Sequence, residues 1–273
     1  MPSLISIITP VHNAESYIAE TIQSVLNQSY SHWELLVINN ASTDGSETEI
    51  LKAKDPRIKY FYEGKKGVGF ARNKGLEEVK GEFLCFLDAD DIMPKNSLSS
   101  RLQIFNNNPQ LQFVDGAVQY VDQNLKMIDK KYSPSFKGYP YNELLRLNAE
   151  CLFGNTWMIK LQPNRIYRFD TQMTHAEDLY FYLTICEGGL YSYTNETILL
   201  YRQRPGSAMK NLKGLEKGYI KLIQKINRSL KIKNWRLSFL KLKIAKIMFL
   251  SHTFDGRDFI SGFMSIFKIL AAK

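Results

Sequence analysis

Three short polar clusters hold most of the residues that could do chemistry: Thr9-Pro10-Val11-His12-Asn13, Asn39 through Asp44, and Asp88-Ala89-Asp90-Asp91. Each directly follows an apolar run. Three aspartates within four residues, set at the end of a buried run, need a cation or hydrogen-bond donors to offset their desolvation. An oxygen-preferring divalent ion, Mg2+ or Mn2+, suits such a cluster and also accepts diphosphate oxygens. The plainer alternative is an aspartate turn that caps the next helix. The strand-end position and the two companion clusters favour the metal. A further acidic pair, Glu177-Asp178, opens an apolar stretch, where carboxylates also serve as ordinary helix-start residues.

The elements that must hold these clusters follow from periodicity. Leu4 to Thr9, Glu34 to Ile38 and Phe83 to Leu87 are continuous apolar runs and read as strands buried on both faces, the first stopping at Pro10. Residues 15–29 place Ile18, Ile22, Val25 and Leu26 at helical spacing. A helix at 45–54, a short strand at 58–61 and a glycine loop leading into a helix at 67–79 complete a strand–helix alternation. That alternation predicts a mostly parallel sheet covered on both faces, with strand ends gathered along one edge where ligands bind. Beyond it, 111–121 reads as a strand pair or strand-turn, 130–142 as a surface loop, 152–161 and 189–201 as strands, and 175–187 as a helix. Asn106 to Asn108 reads as a helix end.

Charge divides the chain. Residues 210–273 carry 15 Lys or Arg and 3 Asp or Glu, against a net charge of +9 for all 273 residues. The spacing predicts three helices there, near 213–230, 235–251 and 257–271, with Ile220, Ile223, Ile226 and Leu230 on one face of the first and lysines on another. The boundary falls at Arg204-Pro205-Gly206-Ser207. Such a basic segment points to an anionic partner. Cys85, Cys151 and Cys186 are too scattered for a disulfide framework or a zinc site, so a reduced compartment is expected. No signal peptide is evident at the N-terminus, and no apolar run is long enough to span a bilayer. A dinucleotide fingerprint starting at Gly67-Val68-Gly69 fails because Arg72 stands at its last glycine position. A phosphate-binding Gly-Lys loop and a serine nucleophile elbow are absent, and His32, His175 and His252 lie too far apart to suggest a triad. Trp157, Tyr180, Phe181 and Tyr182 read as core, with Trp157 alternatively a platform under a sugar ring.

Taken together, several segments resemble the nucleotide-sugar glycosyltransferases of family 2, which have the GT-A fold. They are Ser6 to Asn13, Ser24 to Tyr30, Asn39 to Gly45, Ala71 to Gly75, Gly81 to Asp91, Glu177-Asp178 and Tyr201-Arg202, in the family's order across about residues 3–207. The resemblance implies an α/β fold with a mostly parallel central sheet flanked by helices and a C-terminal helical appendage. It implies a catalytic part over 1–209, with a nucleotide-sugar half to about 110 and an acceptor half over 111–209, followed by basic amphipathic helices over 210–273. By the same resemblance Asp90 holds the metal, Asp88 holds the ribose or the metal's shell, and Asp178 is the general base. Thr9, Pro10 and His12 line the nucleotide, and Arg72 belongs to the donor side. Asn40 stands where many members carry an aspartate facing the base. Its amide oxygen is a weaker acceptor than a carboxylate. His12 replaces a common tyrosine and either stacks on the base or is a plain loop residue. Arg204 stands where some members have a metal-binding histidine. Arginine cannot ligate a metal, and either clamps the diphosphate or lies at the surface.

The expected activity is a metal-dependent, hexosyltransferase-type reaction. An acceptor hydroxyl, deprotonated by Asp178, displaces a nucleoside diphosphate with inversion at the anomeric carbon. The expected donor is a UDP-sugar and the acceptor a glycan or lipid-linked glycan, as in bacterial surface polysaccharide or glycolipid synthesis. The expected place is the cytoplasm, peripheral to the inner face of the membrane. The basic helices, whose outer residues include Trp235, Phe239, Phe249, Phe259, Phe263 and Phe267, either meet anionic lipid in a salt-sensitive way or pack their apolar face on the catalytic part with the lysines in solvent, and nucleic acid is not expected. A sugar nucleotidyltransferase is the nearest alternative. It would open with a glycine-rich basic loop after its first strand, and Thr9 to Asn13 has neither glycine nor Lys or Arg. A non-catalytic membrane or nucleic-acid binding module is the other.

Overall fold

The computed structural model describes residues 2–204, 211–230 and 232–272. The first elements alternate: β1 (Ile5–Val11), α1 (Ile18–Leu26), β2 (Trp33–Asn39), α2 (Ser46–Leu51), β3 (Ile58–Tyr62), α3 (Val68–Glu78) and β4 (Phe83–Phe86). These strands pair in parallel in the order β3-β2-β1-β4. β1 and β2 are apolar without interruption because both faces are covered. Ile5, Ile7, Leu35 and Val37 face Ile18, Ile22 and Val25 of α1, while Ile8, Leu36 and Ile38 share the opposite core with Ala71 of α3.

The chain continues through α4 (Ser97–Asn107), β5 (Leu111–Val121), β6 (Met127–Tyr132), α5 (Tyr141–Leu145), β7 (Met158–Lys160), α6 (Glu177–Ile185) and β8 (Leu190–Arg202). β7 lies antiparallel between β4 and β5, β6 pairs antiparallel on β5, and β8 runs parallel to β5, so the eight-stranded sheet is mixed. Three helices follow: α7 (Leu212–Ser229), α8 (Asn234–Leu250) and, after a π-helical turn at Ser251–Asp255, α9 (Phe259–Ala271).

Several expectations change in detail. β1 does not stop at Pro10 but runs through it to Val11. Ile8 accepts from Leu87 on the β4 side, so two residues on Pro10 faces that side too. There β4 has ended, and the missing N–H leaves no ladder bond unmade. Residues 111–121 form one strand, not a strand pair. Gly116 marks a close approach rather than a turn, since a Cβ there would sit 2.5 Å from Ile198 Cγ2 of β8. The expected loop at 130–142 begins inside β6, a charged edge strand, and ends at the start of α5. Only Met158–Lys160 of 152–161 is a strand. Trp157 is fully buried and stacked on Tyr182 at 4.1 Å, which makes it core and not a sugar platform.

The apolar residues of α7 and α8, including Leu222, Ile223, Ile226, Leu240, Ile244 and Met248, belong to the same core as Phe86, Phe169 and Phe181. The boundary read at Arg204 to Ser207 lies mostly outside the described residues.

Candidate active site

β1, β2 and β4 end along one edge of the sheet, and the turns after them carry the polar clusters. Thr9 is fully buried within β1, and its hydroxyl has no hydrogen-bond partner. Thr9 and Pro10 therefore sit in the strand and not in the loop after it. His12 is exposed, and its Nδ1 donates to the Asn40 carbonyl at 2.8 Å. Asn40 is buried. Its amide donates to the carbonyls of Glu63 and Lys65, and its Oδ1 accepts from the Gly67 amide at 2.8 Å. The side chain braces the 63–67 loop against the strand edge, leaving one lone pair for a ligand.

The Asp88-to-Asp91 turn separates its three carboxylates. Asp91 is turned inward and accepts from the Arg202 amide at 2.9 Å. Burial, reinforced by the charges of Asp90 and Asp88, pushes its carboxyl well up. The expectation of three cation-facing aspartates thus reduces to two. Asp88 and Asp90 have side chains 47% and 20% exposed. Asp90 is ion-paired with Arg204, and Asp88 with Arg72 at 3.1 Å. Arg202 holds the turn from below, donating to the Asp90 carbonyl at 2.7 Å and to Glu20 at 2.6 Å.

Arg72 is the hub. It reaches from α3 to Asp88 and, at 2.9 Å, to Glu177 at the start of α6. With the Asn155 amide turned to present its oxygen, that oxygen accepts from the same guanidinium at 3.0 and 3.1 Å. Burial opposes the Arg72 charge, but Asp88, Glu177 and Asp178 outweigh it and hold the group above its ordinary value. One cation thereby ties the metal-type turn to the acidic helix start.

Asp178 lies on the first turn of α6, entered through Ala176 in the left-handed conformation at φ 57°. A non-glycine residue in that region is a strained position of the kind found at working sites. Asp178 Oδ1 accepts from the Leu179 amide at 2.7 Å. Burial first, and then the neighbouring Glu177 charge, pushes its carboxyl up to about 6, against the pull of Leu179 N–H and Arg72. The carboxyl opens into a cleft of about 540 Å3 that Arg204 also lines. Opposite it Gly154 adopts φ 50°, and a Cβ there would be 3.8 Å from Asp178 Oδ2. Thus Asp88, Asp90, Asp178, Arg72 and Arg204 form one connected group, with His12 and Asn40 further along the same edge.

Some cleft residues escaped the sequence reading. Phe153 and Gly154 come from a loop read as strand. Leu215 and Tyr219 of α7 and Ile247 of α8 form part of the wall. Burial and then the Asp178 charge push the Tyr219 hydroxyl up to about 12. Tyr219 falls among Leu215, Leu222 and Ile226 at helical spacing, so its pattern is that of a core residue.

A divalent cation can be tested against this donor set. Among the described residues no group of three His, Cys, Asp or Glu side chains converges. Two carboxylates still suit Mg2+ or Mn2+, which complete their shells with water and substrate phosphates. The residues fit on one condition: Arg204 must release Asp90.

The sequence profile described as Glycosyl transferase family 2 matches residues 6–170. The UDP-Glc:alpha-D-GlcNAc-diphosphoundecaprenol beta-1,3-glucosyltransferase WfgD of Escherichia coli is 34% identical over 70% of this chain and 73% of its own length. Among solved structures, S. aureus TarS 1-349 in complex with UDP-GlcNAc superposes with a TM-score of 0.72 at 17% identity, over 97% of this chain and 81% of that one. The mannosyltransferase PcManGT of Pyrobaculum calidifontis, in complex with GDP-Man and Mn2+, gives 0.63 at 18% identity, over 100% of this chain and 76% of that one. Both neighbours share the GT-A fold expected from the sequence. A strand-edge crevice, its linked carboxylates and a family match over more than half its length make this chain a member of glycosyl transferase family 2.

Proposed function

We propose that the protein transfers a sugar from a nucleoside-diphosphate sugar, most simply a UDP-sugar, to an acceptor hydroxyl with inversion at the anomeric carbon. The observation that carries this reading is the Asp178 carboxyl, which lines a cleft, is pushed up to about 6, and feels the charge of Arg72, itself ion-paired with Asp88 and Glu177. A base with that value is ionised at neutral pH and matched to taking a hydroxyl proton as the new bond forms. Displacement from the opposite face needs no carboxylate nucleophile, in contrast to retaining hydrolases.

The donor diphosphate would lie along the strand edge. Asp90 would hold Mn2+ or Mg2+ with Asp88 beside it, and the Mn2+ bound in PcManGT supports that assignment. A cation there supplies charge neutralisation to the leaving diphosphate. Arg204, freed from Asp90, can then clamp a phosphate oxygen. Thr9, Pro10, His12 and Asn40 would border the nucleoside, and Arg72 would keep Asp88 and Glu177 in register.

The acceptor would be a glycan carried on a lipid, as in bacterial surface polysaccharide or glycolipid synthesis. The WfgD name supports this with its diphosphoundecaprenol acceptor. So does the apolar wall of Leu147, Leu152, Leu215 and Ile247 in the cleft. We assign residues 1–209 to the catalytic part and 210–273 to helices that lend it a wall, working at the cytoplasmic face of a membrane and touching anionic lipid.

A screen of nucleotide-sugars with Mn2+ tests the reading. Slow hydrolysis releasing nucleoside diphosphate is expected, faster below saturation as pH rises toward and through about 6. Release of pyrophosphate from a nucleoside triphosphate supplied with a sugar 1-phosphate would instead indicate a nucleotidyltransferase, and no turnover in either assay would contradict both.

A further inference from the structure

Most of the large apolar side chains exposed among the described residues lie between Trp235 and Leu270. α9 is inside out. It packs through Gly262, Ser265 and Ile269, while Phe259, Ile260, Phe263 and Phe267 are 61%, 77%, 50% and 57% exposed. Gly262 allows the close seat: a Cβ there would meet the Phe249 carbonyl at 3.1 Å. On α8 the outward stripe is Trp235, Phe239, Leu242 and Leu250, with Lys246 among them. The inner side of α8 is core, and its Ile247 lines the acceptor cleft. No helix among the described residues is long and apolar enough to cross a membrane.

We infer that α9 and the outer stripe of α8 insert into the interfacial layer of a lipid bilayer, leaving the acceptor cleft one helix away from the lipid. This rests on the reading of a lipid-linked acceptor. Three observations favour a bilayer over a second copy of the chain. The aromatic and aliphatic residues fill the outward side of a helix that buries its smallest residues, the reverse of a helix settled in water. Between Phe259 and Ala272 the only charged residue is Lys268. Lys268 is paired with Glu216 at 2.8 Å, whereas Lys246 is exposed in the α8 stripe with no ion pair to an acid among the described residues, so a two-fold interface centred there would bring like charges together. An anionic headgroup would instead pair Lys246, with its stem lying along the apolar surface.

The structure also revises where the contact lies. The lysines of α7 are in part committed internally, Lys225 to Asp170 at 2.5 Å and Lys221 to the Gln172 carbonyl at 2.6 Å. The apolar face of α7 is core. Removing everything after about residue 210 would therefore strip the catalytic core, and point variants on α9 are the sounder probe.

The experiment is flotation of the full chain with vesicles of phosphatidylglycerol and phosphatidylethanolamine, against phosphatidylcholine alone. Tryptophan emission is followed, because Trp33 and Trp157 are buried and Trp235 is exposed. Expected are binding to the anionic vesicles, a blue shift, and retention of part of the binding at about 0.5 M salt, since screening removes only the charge component. Phe263→Glu with Phe267→Glu should lower partitioning about tenfold or more while donor hydrolysis and thermal melting stay unchanged. Indifference to vesicles, full release by salt, or unchanged partitioning of the double variant would overturn the inference. So would a concentration-dependent dimer that the double variant abolishes. Vesicle binding without hydrolysis of any donor would support the surface and sink the transferase reading, which keeps the two separable.

Discussion

The strand-edge site and the α8–α9 hairpin break the usual partition of polar and apolar residues in opposite ways. At the strand edge, charge is taken out of water: Arg72 and Asp91 are buried, and Glu177 nearly so. Each is met by a partner within the chain, Arg72 by Asp88 and Glu177, Asp91 by the Arg202 amide. On α9, apolar surface is left exposed, and no described residue covers it. The first exception is balanced internally, as the proposed reaction requires of its charged groups. The second is unbalanced among the described residues, and the inferred bilayer is what would balance it. α8 joins them, with one side in the core and cleft and the other in the exposed face.

The comparison can be broken most severely at the strand edge. Asp90→Ala should abolish transfer, by on the order of 10³-fold or more, together with metal-dependent donor binding, while the fold survives. Calorimetry of donor binding with and without Mn2+ checks it, and near-normal turnover would remove Asp90 from the site. Asp90→Asn should also be severely impaired, since it keeps the shape and loses the charge.

Next is the cation that balances the buried carboxylates. Arg72→Met leaves Asp88, Glu177 and Asp178 uncompensated and should cost on the order of 3 kcal/mol of stability. It should also move the acid limb of the rate profile to higher pH, because Arg72 now pulls the Asp178 value down. A denaturant titration and a pH–rate profile measure the two effects, and an unmoved limb would dissociate Arg72 from the base.

A smaller effect sharpens the contrast by using a buried carboxyl outside the cleft. Asp115 is fully buried, and burial pushes it up to about 6 against help from Thr156 and Gly116. A raised value means that its favourable contribution is complete below its unfolded value, near 4, and is lost as pH rises through about 6. Asp115→Asn should therefore raise the melting temperature more at pH 8 than at pH 5, the stabilisation differing between the two by about 1.4 kcal/mol. An equal change at both values would show that its ionisation does not burden the fold.

Much of the site's scaffold was legible in the sequence for a simple reason. A strand buried on both faces reads as an unbroken apolar run, and Ile5–Val11, Trp33–Asn39 and Phe83–Phe86 lie where such runs ended in polar clusters. Residue types alone could not show which way a carboxylate turns. Asp91 belongs to the same cluster as Asp88 and Asp90, but its partner is a backbone amide 111 residues away. Nor could periodicity separate Tyr219, which faces the cleft, from the core residues that flank it. The helices after residue 210 were legible as amphipathic, but their packing was not. Phe259, Phe263 and Phe267, expected on the outside, are exposed on α9 because Gly262 and Ser265 let the small side of that helix pack, whereas the apolar face of α7 is core.

In the proposed reaction Asp178 takes the acceptor proton. Asp178→Asn should preserve shape and donor affinity and lower transfer by on the order of 10² to 10⁴. Measuring donor dissociation and single-turnover transfer on the same preparation tests it directly. Unchanged donor affinity with that loss, and with the acid limb near pH 6 gone, is the result predicted. Donor affinity falling as far as turnover, or a limb that persists in the variant, would contradict it.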